Sequence, residues 1–563
     1  MSGKQGRCQF QAAFIFALFV LLFSAVAEWI FWEEFRTRFN FIAVDYLIYT
    51  QEVIGNIRQS YPVGWVLGAI FVSSFAMFLA LRPTLMRSFT SGTSFTKRSF
   101  LPVVLLTIPV FAFFSLDYRR VETGLNAFAD ELAENGLYQF FSALRNNDLD
   151  YVQNFASIPN EAAFRHTKAL LAGPGAGYPG GDPFILAREV AAGTPEKRLN
   201  VVLVSVESLS AEFMHAFGNM KGITPNLDRL AEEGLFYTDL YASGTRTVRG
   251  MEALSLGLPP TPGQSIVKRT DNENLFSLGH VFREKGYAVR FLYGGYGYFD
   301  NMNHFFSSNG YDVRDRIALA KEEITFENAW GVADEDLFAL ALRELDTSHR
   351  AGKPAFLHVM TTSNHRPYTY PGDRIDIPSG SGRDGAVKYS DWAIGHFVAG
   401  ARKRPWFDDT LFVFTADHAA SSGGKAKLPL NRFHIPAIFY APKHVAPHRY
   451  ERLAAQIDLP PTILGLLGFS YRSMFYGRDL TNAAPGTERI FVGNFSEVGY
   501  YRDGQLVVLA PRKSIETLSV NFRDGTTQPV PADKAVVEEA IALYQSASWV
   551  FREKLNRLPI RLE

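Results

Sequence analysis

Val202-Leu203-Val204-Ser205-Val206-Glu207-Ser208 decides the fold, and Leu411-Phe412-Val413-Phe414-Thr415-Ala416-Asp417-His418, far downstream, repeats its logic. Each is an apolar, β-branched and aromatic run that ends abruptly in side chains able to hold a metal. Such runs read as buried strands of a parallel sheet. Open parallel sheets gather their chemistry in the crevice outside the carboxyl ends of the strands. Both strands are therefore expected to deliver Glu207, Asp417 and His418 to one crevice. Between them, Ser243-Gly244-Thr245-Arg246-Thr247-Val248-Arg249-Gly250 offers hydroxyls and arginines, which suit a phosphate.

Outward from these segments the rhythm is strand, loop, helix. Apolar strands are expected at 200–206, 287–293, 354–360, 410–416 and 435–441, with a weaker one at 490–494. Helices are expected at 225–233, 274–285, 387–403 and 458–467, a hairpin turn at Asp503-Gly504, and a terminal helix over 532–555. Alternating strands and helices imply an α/β domain, a mostly parallel central sheet flanked by helices on both faces. A Gly/Pro-rich run at 172–182 reads as a linker. The expected organisation is a membrane region over 1–117, a helical spacer and linker over 118–197, and a catalytic domain over 198–563.

Three apolar runs fall in the membrane region: 10–32, 61–81 and 100–116, the last carrying Pro102 and Pro109. About 20 apolar residues in a helix cross the hydrocarbon core. Lys4 and Arg7 precede the first run, but no small-residue cleavage site follows it, so an uncleaved anchor is expected. The 82–99 loop carries Arg82, Arg87, Lys97 and Arg98 without an acid. By the positive-inside rule this loop is cytoplasmic, which puts everything after the third span outside. The segment 39–57 is expected to lie along the outer membrane face, because a span there would bury Asp45, Gln51, Glu52 and Asn56.

Composition narrows the function classes. The 563 residues carry 57 basic and 57 acidic side chains, so nothing points to nucleic acid. The single cysteine, Cys8, excludes an intrachain disulfide framework and a cysteine-built zinc site.

An Asp-His pair alone is a weak signal, more often a cap or a surface feature; its place directly after a hydrophobic strand strengthens it. Glu207 taken alone reads as a partner for the Ser208/Ser210 stretch, and the conjunction with Asp417-His418 favours a metal. Thr247 is the expected nucleophile, because a threonine hydroxyl needs a base or a metal to become reactive. Arg246 and Arg249 flank it and are expected to hold phosphate oxygens; the alternative for the loop is an ordinary polar turn. His365, in Asn364-His365-Arg366-Pro367 after a further strand, is either a substrate ligand or proton donor, or a plain surface histidine. His434 is a weaker candidate for a second metal. An oxygen-rich donor set favours Mn²⁺ or Mg²⁺, with Zn²⁺ possible.

Residues 198–470 resemble the alkaline phosphatase/sulfatase superfamily, specifically its lipoteichoic acid synthase-like phosphoglycerol transferases. The matching text is Ser205-Val206-Glu207-Ser208, Thr224-Pro225-Asn226-Leu227-Asp228-Arg229-Leu230 and Gly244-Thr245-Arg246-Thr247. It continues in Asn364-His365-Arg366-Pro367, Thr415-Ala416-Asp417-His418 and Asp458-Leu459-Pro460-Pro461-Thr462-Ile463-Leu464. The run from Gly244 to Ala253 is closest in look to Gram-negative members, which include enzymes that decorate periplasmic glucans. The resemblance implies that Glu207, Thr247, Asp417 and His418 bind one divalent cation. It implies that Thr247 takes a phosphoglycerol group from phosphatidylglycerol, and that His365 contacts that group. It further implies a glycan or polymer acceptor outside the cytoplasmic (inner) membrane. Phosphoethanolamine transfer and hydrolysis use the same kind of site. Sulfatase chemistry is disfavoured, because the loop has Thr247-Val248-Arg249 where a sulfatase needs a Cys or Ser in Cys/Ser-x-Pro-x-Arg. A non-catalytic lipid- or glycan-binding role is the remaining alternative.

Overall fold

The computed structural model of the chain describes residues 3–48, 50–88, 94–115, 126–145, 149–172, 178 and 182–558. Most of the expected 172–182 linker, the middle of the 82–99 loop and the start of the 118–197 spacer lie outside the described residues. The chain divides into two compact units, Met1–Asn147 and Asp148–Glu563. The residues expected as one spacer are shared between them.

In the first unit two helices are long and apolar enough to cross a membrane, Gln5–Phe35 and Val63–Arg87. The third expected span falls in the helix Phe95–Ser115, in which Pro102–Ala112 is an apolar stretch among the described residues. Helices Phe41–Ile48 and Thr50–Ser60 occupy the segment expected along the membrane face. The helix Ala127–Ala133 is fastened to the end of the first helix through Glu131, whose carboxylate accepts from Thr37 Oγ1 and the Arg38 amide, each at 2.8 Å.

The second unit is built on a mixed central sheet. From one edge its strands are His448–Tyr450, Leu235–Tyr241, His434–Tyr440, Thr410–Ala416, Asn200–Val206, Ala355–Met360, Ala288–Tyr293 and Asp312–Arg314, with Ala454–Ala455 also on Leu235–Tyr241. All neighbours are parallel except His434–Tyr440, which runs antiparallel to both of its own. The three innermost strands, Thr410–Ala416, Asn200–Val206 and Ala355–Met360, are buried along nearly their whole length, as a sheet covered on both faces demands. One polar pair lies within them, Ser205 Oγ 2.9 Å from His358 Nε2, while His358 Nδ1 has no partner.

Helix Pro225–Glu233 starts at Thr224-Pro225, a pre-organised first turn. The Asp391 carboxylate, on helix Arg383–Ala401, accepts from the Asn226 and Leu227 amides at 3.0 and 2.7 Å. A negative group at a helix start is favoured by the dipole, so this bond also ties the two helices together. The expected hairpin at Asp503-Gly504 belongs to a larger antiparallel sheet of Ile490–Gly493, Val498–Arg502, Gln505–Ala510, Ser514–Val520 and Thr527–Pro529. Terminal helix Lys534–Arg552 packs on helix Asn160–Leu171, where Thr167 Oγ1 lies 2.9 Å from Ser546 Oγ and Gln545 Nε2 donates to the Ile158 carbonyl at 2.7 Å.

Candidate functional site

Register brings the site together. Strands Asn200–Val206 and Thr410–Ala416 are aligned so that Val206 pairs with Ala416, and the next residues, Glu207 and Asp417, leave the sheet side by side. Ser208 then turns sharply, at φ 52°, a left-handed value uncommon for a residue with a side chain. That turn lets its amide donate to Asp417 Oδ1 at 2.8 Å and its hydroxyl donate to Glu207 Oε1 at 2.7 Å. The strain is thus spent on holding two carboxylates together.

His418 completes the group. Its amide also donates to Asp417 Oδ1, at 2.7 Å, and its Nδ1 lies 2.7 Å from the Ala419 carbonyl. A proton on Nδ1 leaves Nε2 as an acceptor, 3.4 Å from Asp417 Oδ2 and 3.9 Å from Glu207 Oε1. One ligand atom from each of Glu207, Asp417 and His418 lies within 4.8 Å of the others. Asp417 is fully buried, yet its Oδ2 receives no hydrogen bond. Burial, and then the Asp417 charge beside it, push the Glu207 carboxyl above the usual range, against the opposing pull of His365, His418 and the Ser208 hydroxyl. Two buried carboxylates, one with an unanswered oxygen, and an imidazole lone pair make a donor set that fits a hard divalent cation.

Thr247 is the first residue of helix Thr247–Leu256 and is half-buried, so its hydroxyl faces the crevice at the positive end of a helix. Its Oγ1 donates to Glu207 Oε2 at 3.4 Å. The helix can come this close because Gly250 has no side chain: a Cβ there would lie 2.2 Å from the Asp417 carbonyl oxygen. From behind, Gln456 Nε2 donates to the carbonyls of Ala416 and Asp417, at 2.9 and 2.8 Å, and its Oε1 accepts from the Ser243 amide at 3.0 Å. One amide side chain thus ties the Thr247 loop to the Asp417 loop.

Arg249 does not serve as the expected phosphate ligand. It is buried, its Nη1 donates to both oxygens of Glu252 at 3.2 Å, and its Nη2 donates to the carbonyls of Thr261 and Gly263. The reason is helical geometry. Residues two apart on a helix do not share a face, so a helix that presents Thr247 to the crevice turns Arg249 into the protein. Arg246 precedes the helix and remains beside Thr247 at the half-buried rim.

The loop after Ala355–Met360 carries His365 to the same rim. The imidazole stacks on Trp330, with ring centroids 3.7 Å apart, and Trp330 Nε1 donates to the Arg366 carbonyl at 2.6 Å. Asn364, next to it, donates from Nδ2 to the Glu207 carbonyl at 2.9 Å, which links this loop to the one that carries Glu207. Trp330 was not legible in the sequence: it lies between the two-residue strands Glu327–Asn328 and Gly331–Val332, where no periodicity can register. His434 stands apart from the cluster, its Nε2 lying 2.6 Å from the Thr238 carbonyl and its ring stacked on Tyr241.

Burial holds two histidines neutral, pushing His365 down to about 4 and His358 to about 3. Between those values and the ordinary 6.5 the unfolded chain binds more protons than the folded one, so stability rises with pH across that window and is complete above it. The His365 share is about 1–2 kcal/mol, reduced because the residue is only partly buried. Thermal unfolding from pH 4 to 7 should show the midpoint climbing, and His365→Gln should flatten the climb. Equal slopes in the two proteins would contradict a neutral buried imidazole.

Comparison with known proteins agrees with this architecture. The sulfatase family model matches residues 199–469. A phosphoglycerol transferase I of Xanthomonas campestris is 27% identical over 325 residues, 54% of this chain and 46% of the relative. Another from Salmonella arizonae is 28% identical over 311 residues, 51% and 40% of the respective chains. The chain thus matches less than half the length of these curated relatives. Among solved structures, a protein in the alkaline phosphatase superfamily from Vibrio parahaemolyticus is 35% identical, with a TM-score of 0.68, over 72% of this chain and 99% of the other. The lipoteichoic acid synthase LtaP from Listeria monocytogenes shares the fold at 21% identity and a TM-score of 0.55, over 65% and 94%.

Proposed function

The chain belongs to the alkaline phosphatase superfamily, and from that premise we propose that it is a membrane-anchored phosphotransferase. It moves phosphoglycerol from phosphatidylglycerol, through a covalent Thr247 intermediate, to a hydroxyl of an extracytoplasmic glycan or polymer. The observation that carries this reading is the Thr247 hydroxyl, at a helix start, aimed at Glu207 beside Asp417 and His418. The relatives named phosphoglycerol transferase I support the transferred group. The two long apolar helices support a multi-pass anchor in the cytoplasmic membrane, and with the basic 82–99 segment inside, a crossing by helix Phe95–Ser115 as the third span puts the catalytic unit on the outer side.

Glu207, Asp417, His418 and the Thr247 hydroxyl would hold one divalent cation, for which Mn²⁺ suits the oxygen-rich set best. When bound, such an ion lowers the pKa of a coordinated hydroxyl and offsets charge on phosphoryl oxygens. The chain's own residues do the rest. Thr247 Oγ1 attacks phosphorus; the Oγ–P bond forms and the bond from phosphorus to the diacylglycerol oxygen breaks. The hydroxyl proton leaves toward Glu207 Oε2, and the diacylglycerol oxygen takes a proton from solvent. In the second half an acceptor hydroxyl oxygen bonds to phosphorus and releases its proton to solvent, the Oγ–P bond breaks, and Thr247 Oγ1 takes back the proton held on Glu207. Neutral His365, stacked on Trp330, orients the head group through its ring N–H and does not act as an imidazolium acid.

The test is the full-length chain in mixed micelles with head-group-labelled phosphatidylglycerol and Mn²⁺. Release of diacylglycerol with label on the Thr247 peptide is the expected result. Release without a covalent adduct, or no release, overturns the reading.

A further inference from the structure

The wall beyond His365 is built from two arginines around one tyrosine. The Tyr368 amide donates to the His365 carbonyl at 2.8 Å, closing a tight turn that places the Tyr368 ring next to the imidazole loop. Arg383, the first residue of helix Arg383–Ala401, lies over that ring with its guanidinium carbon 5.1 Å from the centroid, and its Nη2 donates to the Tyr368 hydroxyl at 2.8 Å. Arg366 lies over the same ring at 5.6 Å. Arg383 Nη1 is shut off from solvent and has no acceptor, and no carboxylate pairs with Arg383 among the described residues. The adjacent Asp384 is taken by Lys221 at 2.6 Å. An enclosed N–H without an acceptor is unfavourable, so the arrangement calls for an oxygen from elsewhere.

The Arg383 charge reaches the site: with burial, it is one of the causes that keep His365 deprotonated. Among the described residues the carboxylate acting on His365 is Glu207, a member of the set that would hold the cation.

We propose that Arg383 selects the donor's head group, admitting one that carries neutral hydroxyls and rejecting one that carries an ammonium. This rests on the phosphotransferase reading given above and names its substrate class. Two independent reasons point the same way. A hydroxyl has lone pairs to accept from Arg383 Nη1, whereas an ammonium has three donors and no acceptor. The guanidinium also repels a second cation in a partly desolvated cleft. Sites that hydrogen-bond a substrate hydroxyl discriminate strongly against analogues that leave the group unpaired. Glycerol fits this wall and ethanolamine does not.

The experiment measures kcat/KM for full-length protein on phosphatidylglycerol and phosphatidylethanolamine in otherwise identical micelles with Mn²⁺, for wild type, Arg383→Gln, Arg383→Glu and Arg383→Lys. Wild type should prefer phosphatidylglycerol by about a hundredfold. Arg383→Gln should narrow that ratio by at least about tenfold, Arg383→Glu should narrow it further, and Arg383→Lys should keep the rejection of ethanolamine. General damage to the fold lowers both rates together, so the ratio isolates selection. A ratio unmoved in both Arg383→Gln and Arg383→Glu overturns the inference, as does a wild type that uses the two lipids equally. A wild type inactive on both lipids overturns the phosphotransferase reading itself, and head-group selection with it.

Discussion

Thr247→Ala should lower transfer by at least about a thousandfold, since a covalent route has no substitute for its nucleophile. Adduct on the Thr247 peptide should vanish with it. The loss should be specific to chemistry. Thr247 is half-buried at the first turn of its helix, and its hydroxyl makes only the long 3.4 Å hydrogen bond to Glu207. Alanine is a good helix former, so stability should move by less than about 0.5 kcal/mol. Thr247→Ser keeps the oxygen and should retain measurable transfer. Full activity in Thr247→Ala, measured as diacylglycerol release under the same conditions, would remove the covalent mechanism. Equal loss in the serine variant would point to packing of the threonine methyl group rather than to its oxygen.

The parts of this site that were legible in sequence are those where periodicity ends in chemistry. Strands Asn200–Val206 and Thr410–Ala416 are continuous apolar runs, and a run that stops at Glu207 or Asp417 announces both a strand and its carboxyl end. Leu235–Tyr241 has no legible strand pattern, because Thr238 and Asp239 interrupt it and Gly234 precedes it, although it is fully part of the sheet. The direction of His434–Tyr440 was equally invisible, since an apolar run has no sign, and only its pairing shows it antiparallel on both sides. The placing of Arg249 turns on one fact that its loop sequence does not show, that a helix begins at Thr247. In an extended loop both arginines flank the threonine; in a helix one of them is turned inward onto Glu252. Trp330 and Arg383 belong to a different class. Their roles arise from side-chain encounters with His365 and Tyr368 across long stretches of sequence, and no local pattern encodes such encounters.

Asp417→Asn should reverse its effect on stability with the presence of metal. In the metal-free protein Asp417 is a fully buried carboxylate beside Glu207, whose own pKa is raised in part by it. The asparagine Oδ1 can still accept from the Ser208 and His418 amides that hold Asp417 Oδ1 now, at 2.8 and 2.7 Å. Its Nδ2 supplies a donor where Asp417 Oδ2 has none, facing the His418 Nε2 acceptor. Like-charge repulsion is relieved and no hydrogen bond is lost, so with chelator the variant should unfold at or above the wild-type temperature. With Mn²⁺ the order should invert. A ligand that binds only the folded state stabilises it by about 2.7 kcal/mol at a hundred times its dissociation constant, and the variant forfeits one of the two carboxylates that earlier strands converge to supply. Transfer should fall with affinity, by at least about a hundredfold at limiting metal, because first-contact ligands set both. Thermal unfolding of the two proteins in chelator and in Mn²⁺ decides the matter. A wild type whose midpoint ignores Mn²⁺, or a variant less stable in both conditions, would show that the paired carboxylates are held together for some purpose other than a cation.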